Sequence, residues 1–242
     1  MKRMHKTNGI NGCSQHVETA FESERVLTVT SYGHLSRERE CINEVLGFYL
    51  YQVGLSPLYG NISYCIHELA VNAHKANLKR LYFKQHGLNI RDPEDYRVGM
   101  RNFKEEVLNN IEEKCFLLRD AGYYVKYHFQ LRGSALKIVV RNNTRLVRQE
   151  RERIRTKMKL AEGARTLVDV YAVAEDYSEG AGLGLVMLNI MLRNMGFTDS
   201  KFDIHTKGSE TIAFITLNIS DRAKILRTLE EFGSIDTSPA SY

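Results

Sequence analysis

The segment Ile66-His-Glu-Leu-Ala-Val-Asn-Ala-His-Lys-Ala-Asn77 does most to limit what this chain can become. At helical period it is apolar on one side, where Ile62, Ile66, Leu69, Ala73 and Ala76 recur at the spacing of a core-facing stripe. Glu68, Asn72 and Lys75 recur at the same spacing on another face and stack one above the other. The helix must therefore pack into a core while carrying a carboxylate, a carboxamide and an ammonium in one row. Such groups can take a proton, ligate a hard cation and hold a phosphate, which makes the row a candidate nucleotide site. The plain alternative is a surface helix whose polar face meets water.

The rest of the chain supplies ordinary globular material. Its 242 residues, 43% hydrophobic and 26% charged, suffice for one sizeable domain and argue against disorder. The net charge of +5 is mild. No apolar run reaches the length of a membrane span, and the basic N-terminus lacks an apolar signal core, so a cytoplasmic protein is expected. Cys13, Cys41, Cys65 and Cys115 are scattered and form no Cys-x-x-Cys, so reduced thiols are expected.

Residues 1 to about 20 are polar and rich in Gly and Asn, which predicts a flexible tail. Residues 21–233 read as one domain, followed by a Ser/Pro-containing tail over 234–242. A β-branched strand is expected over 25–31, then a helix from Ser36 to about Val53 closed by Gly54, then the helix bearing Glu68, to about Lys84. Asp92-Pro93 reads as an N-cap and first helical residue of a helix with the stripe Phe103, Val107, Ile111, Cys115 and Leu118, stopped at Gly122. This insertion, about 90–122, reads as a packing helix or as a dimer or partner surface. Tyr123–Gln130 and Ala135–Arg141 form an expected hairpin, and two further strands are expected over 201–206 and 211–219. Ser220 is expected to cap a last helix over 221–232.

Residues 144–163 are intensely charged. Arg145, Arg148, Arg151, Arg153, Arg155, Lys157 and Lys159 suggest a nucleic-acid surface, but Glu150 and Glu152 among them favour a solvated face of mixed sign. Nucleic acid is therefore not the expected partner. His67 and His74 read as surface histidines. His67-Glu68 is not a zinc-protease motif, because Val71 stands where its second histidine would be.

Gly180-Ala-Gly-Leu-Gly-Leu185 precedes another apolar helix. It lacks the last glycine of a dinucleotide fingerprint, and no P-loop occurs. Its glycines would still let backbone approach an anion at a helix N-terminus.

Glu68-x-x-x-Asn72-x-x-Lys75, followed about a hundred residues later by Gly-x-Gly-Leu-Gly-Leu, resembles the Bergerat-fold ATPases: gyrase, the Hsp90 chaperones, sensor histidine kinases and MutL proteins. The wording His-Glu-Leu-x-x-Asn-Ala-x-Lys is similar to histidine-kinase catalytic domains, and the order of the first elements is similar to the anti-sigma-factor serine kinases. The closing run Gly208–Leu217 looks like the family's last strand, with Thr211 at its threonine position and Glu210 where a glycine is usual. The resemblance covers roughly residues 25 to 219. It implies an α/β class fold, specifically an α+β two-layer sandwich whose mixed, largely antiparallel sheet is covered on one face by helices. It further implies bound ATP and Mg2+, a protein partner as phosphoryl acceptor or regulator, and a lid over about 144–179.

By the same resemblance, Glu68 would be the general base, Asn72 a Mg2+ ligand and Lys75 a phosphate contact. Gly180, Gly182, Leu183, Gly184 and Leu185 would form the phosphate-cradling segment, and Asn142 and Thr211 would face adenine. The family's Asp-x-Gly-x-Gly box is altered: Asn142 replaces the aspartate, and Thr144 and Leu146 replace the glycines. His34 lacks the usual phosphoacceptor context. Three functions remain open: an ATP-binding signalling kinase or switch, a degenerate scaffold of the same fold, and a basic nucleic-acid binder.

Overall fold

The structure, a computed structural model, describes residues 10–33, 36–107, 111–163, 183–194 and 201–233. In chain order the elements are α1 (Ile10–Glu22), β1 (Leu27–Ser31), α2 (Ser36–Gln52), α3 (Tyr59–Gln85), α4 (Pro93–Glu106), α5 (Ile111–Asp120), β2 (Val125–Arg132), β3 (Ala135–Asn142), α6 (Arg148–Gly163), α7 (Leu183–Asn194), β4 (Lys201–Lys207), β5 (Glu210–Asn218) and α8 (Arg222–Gly233).

The chain is an α+β sandwich. Its five-stranded sheet runs β1-β2-β3-β5-β4, and every neighbouring pair is antiparallel. The strands alternate as a half-covered sheet must. Val125, Tyr127 and Phe129 of β2, Leu136, Ile138 and Val140 of β3, and Ala213, Ile215 and Leu217 of β5 are buried. Between them lie half-exposed Lys126, His128, Val139, Arg141 and Phe214. The buried rows meet Leu46, Tyr49 and Leu50 of α2 and Ile62, Ile66 and Leu69 of α3 in one core. Burying a side chain of the Leu or Phe class contributes about 1.5–3 kcal/mol, so this period-2 against period-3.6 match largely decides the fold.

Local chemistry sets the ends of the helices. Gly54, at a φ of 66°, closes α2 in the left-handed region where side chains are strained. Asp92 caps α4 by accepting from the N–H groups of Glu94 and Asp95.

Several expectations are corrected. Residues 10–20 are not a tail but belong to α1, whose Val17 and Ala20 are buried and whose Phe21 packs edge-on against Phe48 and Tyr49. The single helix expected from Asp92 to Gly122 is two: α4 ends at Glu106, with Val107 as its C-cap, and α5 starts at Ile111. Both pack with the C-terminal half of α3, where Leu78, Leu81, Tyr82, Phe83, Tyr96, Phe103, Cys115 and Leu118 make a second core. The insertion is thus a packing element. The last helix is preceded by a 3-10 turn over Ile219–Asp221, in which Ser220 itself lies and which Asn218 caps by accepting from the Ser220 N–H. Among the described residues no helix is long and apolar enough to cross a membrane.

Candidate functional site

α3 positions the candidate residues. Its buried face holds Ile62, Cys65, Ile66, Leu69, Ala70, Ala73, His74, Asn77 and Leu78. Ala76, expected inward, is half-buried, while His74, expected at the surface, is fully buried, with Ser31 Oγ 3.4 Å from its Nε2. Glu68, Asn72 and Lys75 form the expected row and are each half-buried. Among the described residues none of the three has a hydrogen-bond or ion-pair partner.

α7 lies against α3, and its Leu185 and Leu192 enter the same core as Leu69. The structure therefore brings the helix that follows the glycine-rich segment beside the Glu68 helix. Leu183 and Gly184 open α7. Gly180 and Gly182 lie outside the described residues, as does His34.

Asn142 and Thr211 are also brought together. Asn142 continues the buried alternation of β3, Thr211 that of β5, and the antiparallel register pairs them directly. Asn77 of α3 donates from Nδ2 to the Tyr124 carbonyl at 3.0 Å. A carbonyl can only accept, so this bond fixes the Asn77 amide with Oδ1 facing the sheet. Asn142 Nδ2 donates to that Oδ1 at 3.0 Å, and Thr144 Oγ1 donates to it at 3.1 Å. Asn142 Nδ2 also donates to Thr144 Oγ1, and Thr211 Oγ1 donates to the Thr144 carbonyl at 2.7 Å. Asn77, Asn142, Thr144 and Thr211 are all buried. The Asn142 amide nitrogen and the Thr211 hydroxyl, on the side chains expected to face adenine, are engaged within the protein as donors, in a knot that ties α3 to the ends of β3 and β5.

Glu210, where the resembling family has glycine, also has a structural partner. Its carboxylate pairs with Arg141 across the sheet at 2.6 Å and accepts from the Tyr124 hydroxyl at 3.2 Å.

The charged segment is the helix α6, packed on α7. Of the lid expected over 144–179, residues 164–179 lie outside the described residues. Arg148, Arg151, Glu152, Arg153 and Arg155 are exposed, as a solvated face requires, but Glu150 is not. It is buried, pairs with Lys79 at 2.9 Å, accepts from Arg80 Nη1 at 2.6 Å, and accepts from the Val147 N–H at 3.1 Å. Burial alone would raise its pKa; the bonds from Arg80 and the charges of Lys79 and Arg80 outweigh that and hold it at about 2. A carboxylate read as part of the solvated face is the pin between α6 and α3. The sequence signal was available: Glu150 lies in the first turn of α6, where an acid suits both the free N–H groups and the helix dipole.

Geometry thus defines a class: a two-layer α+β protein whose central helix carries a half-buried Glu/Asn/Lys row, unpaired among the described residues, on one face and a buried amide knot on another. No family model matches the chain, and no solved structure matches it. The chain is 36% identical over 201 residues to an uncharacterized protein of Treponema pallidum (strain Nichols). The match covers 83% of this chain and 39% of that protein, so the chain spans about two fifths of its relative's length.

Proposed function

We propose that this chain is an ATP- and Mg2+-binding signal-transduction protein of the histidine-kinase-like ATPase superfamily. It would act in the cytoplasm, by phosphoryl transfer to a protein or by ATP-gated binding of a protein partner, as an anti-sigma-type switch does. The observation that carries this reading is the row Glu68, Asn72 and Lys75, half-buried and unpaired among the described residues, on a helix against which α7 packs. Half-buried and reachable from solvent, the three groups are free of protein partners among the described residues and open to a ligand that bonds all of them at once.

The row suits a phosphate and metal ligand. Mg2+ keeps most of its waters and takes one or two protein oxygens together with phosphate oxygens. Asn72 would offer its amide oxygen to the metal, and Lys75 would neutralise phosphate charge. Glu68 would accept a proton from an attacking water or side chain. The first-turn N–H groups of α7, free of intrahelical partners, would face the anion. Bound Mg2+-ATP would supply the transferable phosphoryl group.

The adenine half is less open, because the Asn142 amide nitrogen and the Thr211 hydroxyl are engaged with Asn77 and Thr144, which leaves the Asn142 amide oxygen to accept from a base. That observation favours a second reading, a scaffold of the same fold that binds partners without turnover.

Calorimetric titration with Mg-ATP separates the two. Heat of binding at or below millimolar nucleotide supports the first reading, and none at that concentration refutes it. Glu68→Ala should then abolish turnover and retain binding; undiminished turnover would remove Glu68 from the base role.

A further inference from the structure

A second face of α3 borders a cavity. Between α2 and α3 lies a space of about 130 Å³, lined by Arg39, Ile42 and Asn43 of α2, by Ser63, Tyr64, Ile66, His67 and Ala70 of α3, and by Tyr127 of β2. Ser63, Ile66, His67 and Ala70 point from a different side of the helix than Glu68, Asn72 and Lys75, with Tyr64 between the two rows. The cavity is therefore separate from the nucleotide row.

Its chemistry is two-ended. At the exposed end the Arg39 guanidinium lies 3.4 Å from His67 Nε2. Among the described residues no carboxylate pairs with Arg39, so a planar fork of donors stands without the partner it suits best. Burial, with the Arg39 charge added, lowers the His67 pKa and so favours the neutral ring. Beside them Ser63 Oγ donates to Asn43 Oδ1 at 3.0 Å. Ile42, Ile66 and Ala70 make the walls apolar. At the inner end Tyr127 is fully buried, and its hydroxyl has no hydrogen-bond partner among the described residues. The hydroxyls of Tyr49, Tyr96 and Thr206 are likewise buried without a partner among the described residues, but of these four it is Tyr127 that lines the cavity, where a ligand atom can reach it.

We propose that the α2–α3 cavity binds a small organic anion, a carboxylate or phosphate monoester with a compact apolar body. Arg39 would hold the anionic head at the mouth through paired N–H bonds. The body would lie on Ile42, Ile66 and Ala70, with its far end towards Tyr127. The volume fits a single six-membered ring, since a cavity of about 150 Å³ houses benzene. Tyr64, one turn before Glu68, borders both this cavity and the nucleotide row, so occupancy could be felt at Glu68.

The test uses the full chain without nucleotide, so that its outcome does not depend on ATP binding. Benzoate, phenyl phosphate and neutral benzyl alcohol are titrated while backbone amide resonances are followed by NMR. Either anion should shift the amides of Arg39, Asn43, Ser63, His67 and Tyr127 and saturate below about 10 mM, the weakest affinity expected of a well-housed ligand of this size. The better of the two identifies the head group. Arg39→Gln, at an exposed position, should weaken that anion roughly tenfold and leave benzyl alcohol unchanged. Ala70→Leu, which fills the cavity, should abolish binding, with circular dichroism confirming the fold. The proposal is overturned if no anion shifts these amides at about 10 mM, if benzyl alcohol binds as tightly as the anions, or if Arg39→Gln binds them unchanged.

Discussion

Asn142→Asp restores the acid of the resembling family's adenine box, and the amide knot predicts that it will harm the protein in a pH-dependent way. Asn142 acts here as a donor, to Asn77 Oδ1 at 3.0 Å and to Thr144 Oγ1. The Tyr124 carbonyl prevents Asn77 from turning to help, because that would lose the 3.0 Å bond from Asn77 Nδ2. An ionised carboxylate only accepts, so it would face the Asn77 oxygen with no proton between them. Protonated, the introduced carboxyl can donate once and replace one of the two donations, at a cost of about 1 kcal/mol. Ionised, it replaces neither and carries a charge into a buried site, at a cost of about 2–4 kcal/mol. Its folded-state pKa must then be raised above the unfolded value of about 3.9. A raised pKa contributes stability that is present at low pH and lost as pH rises through it. The variant should therefore lie about 1 kcal/mol below the parent at pH 3, below the unfolded pKa, and about 2–4 kcal/mol below it at pH 8. Urea unfolding followed by circular dichroism, at both pH values and against the parent, measures this directly; the chain has no tryptophan to report by fluorescence. Equal losses at the two pH values would refute the donor role. A gain in ATP affinity with no loss of stability would show that Asn142 reads the base instead.

Two further outcomes follow from the packing. Glu150→Ala leaves Lys79 and Arg80 half-buried without their carboxylate and should cost about 3–5 kcal/mol by urea unfolding. In the parent, the drop of Glu150 from 4.5 to about 2 is worth about 3 kcal/mol. A depressed pKa gives stability that is present above about pH 5 and lost as pH falls towards 2, so the variant should lack this acid-sensitive component. Gly99→Ala drives a Cβ into the Phe83 ring, within 2.5 Å of its tip, and should destabilise the second core by about 1–3 kcal/mol. An unchanged thermal midpoint would show that α4 can shift away from α3.

Hydrophobic period made most of this fold legible. The β2–β3 hairpin, β5 and α3 fall within a residue or two of where alternation and the 3.6-residue stripe place them, because burial of those residues dominates the local energy. Period fails where two elements share one phase. The stripe Phe103, Val107, Ile111, Cys115, Leu118 runs across the break between α4 and α5, so the break is invisible to it. Composition misled at α1, where Gly and Asn suggest a tail but Val17, Ala20 and Phe21 find a surface made by α2 and the sheet. That surface exists only once the fold has formed.

Asn77 shows most clearly why half of the candidate site stayed hidden. It stands five residues beyond Asn72, a step that carries it well round the helix from the Glu68, Asn72, Lys75 row. A reading that gathers polar groups by face must therefore omit it. Nor could the replacement of aspartate by Asn142 be understood from its own neighbours, since its reason is an oxygen on another element, turned towards it by a carbonyl on a third. An asparagine at that position is not a weakened aspartate. It is the residue type that can complete a chain of donors whose direction was set at Tyr124. The Glu68, Asn72 and Lys75 row and the amide knot thus lie on different faces of α3. It follows that Glu68, Asn72 and Lys75 can be probed by substitution without loosening the fold, whereas Asn77, Asn142 and Thr144 cannot, and that contrast in stability is itself measurable.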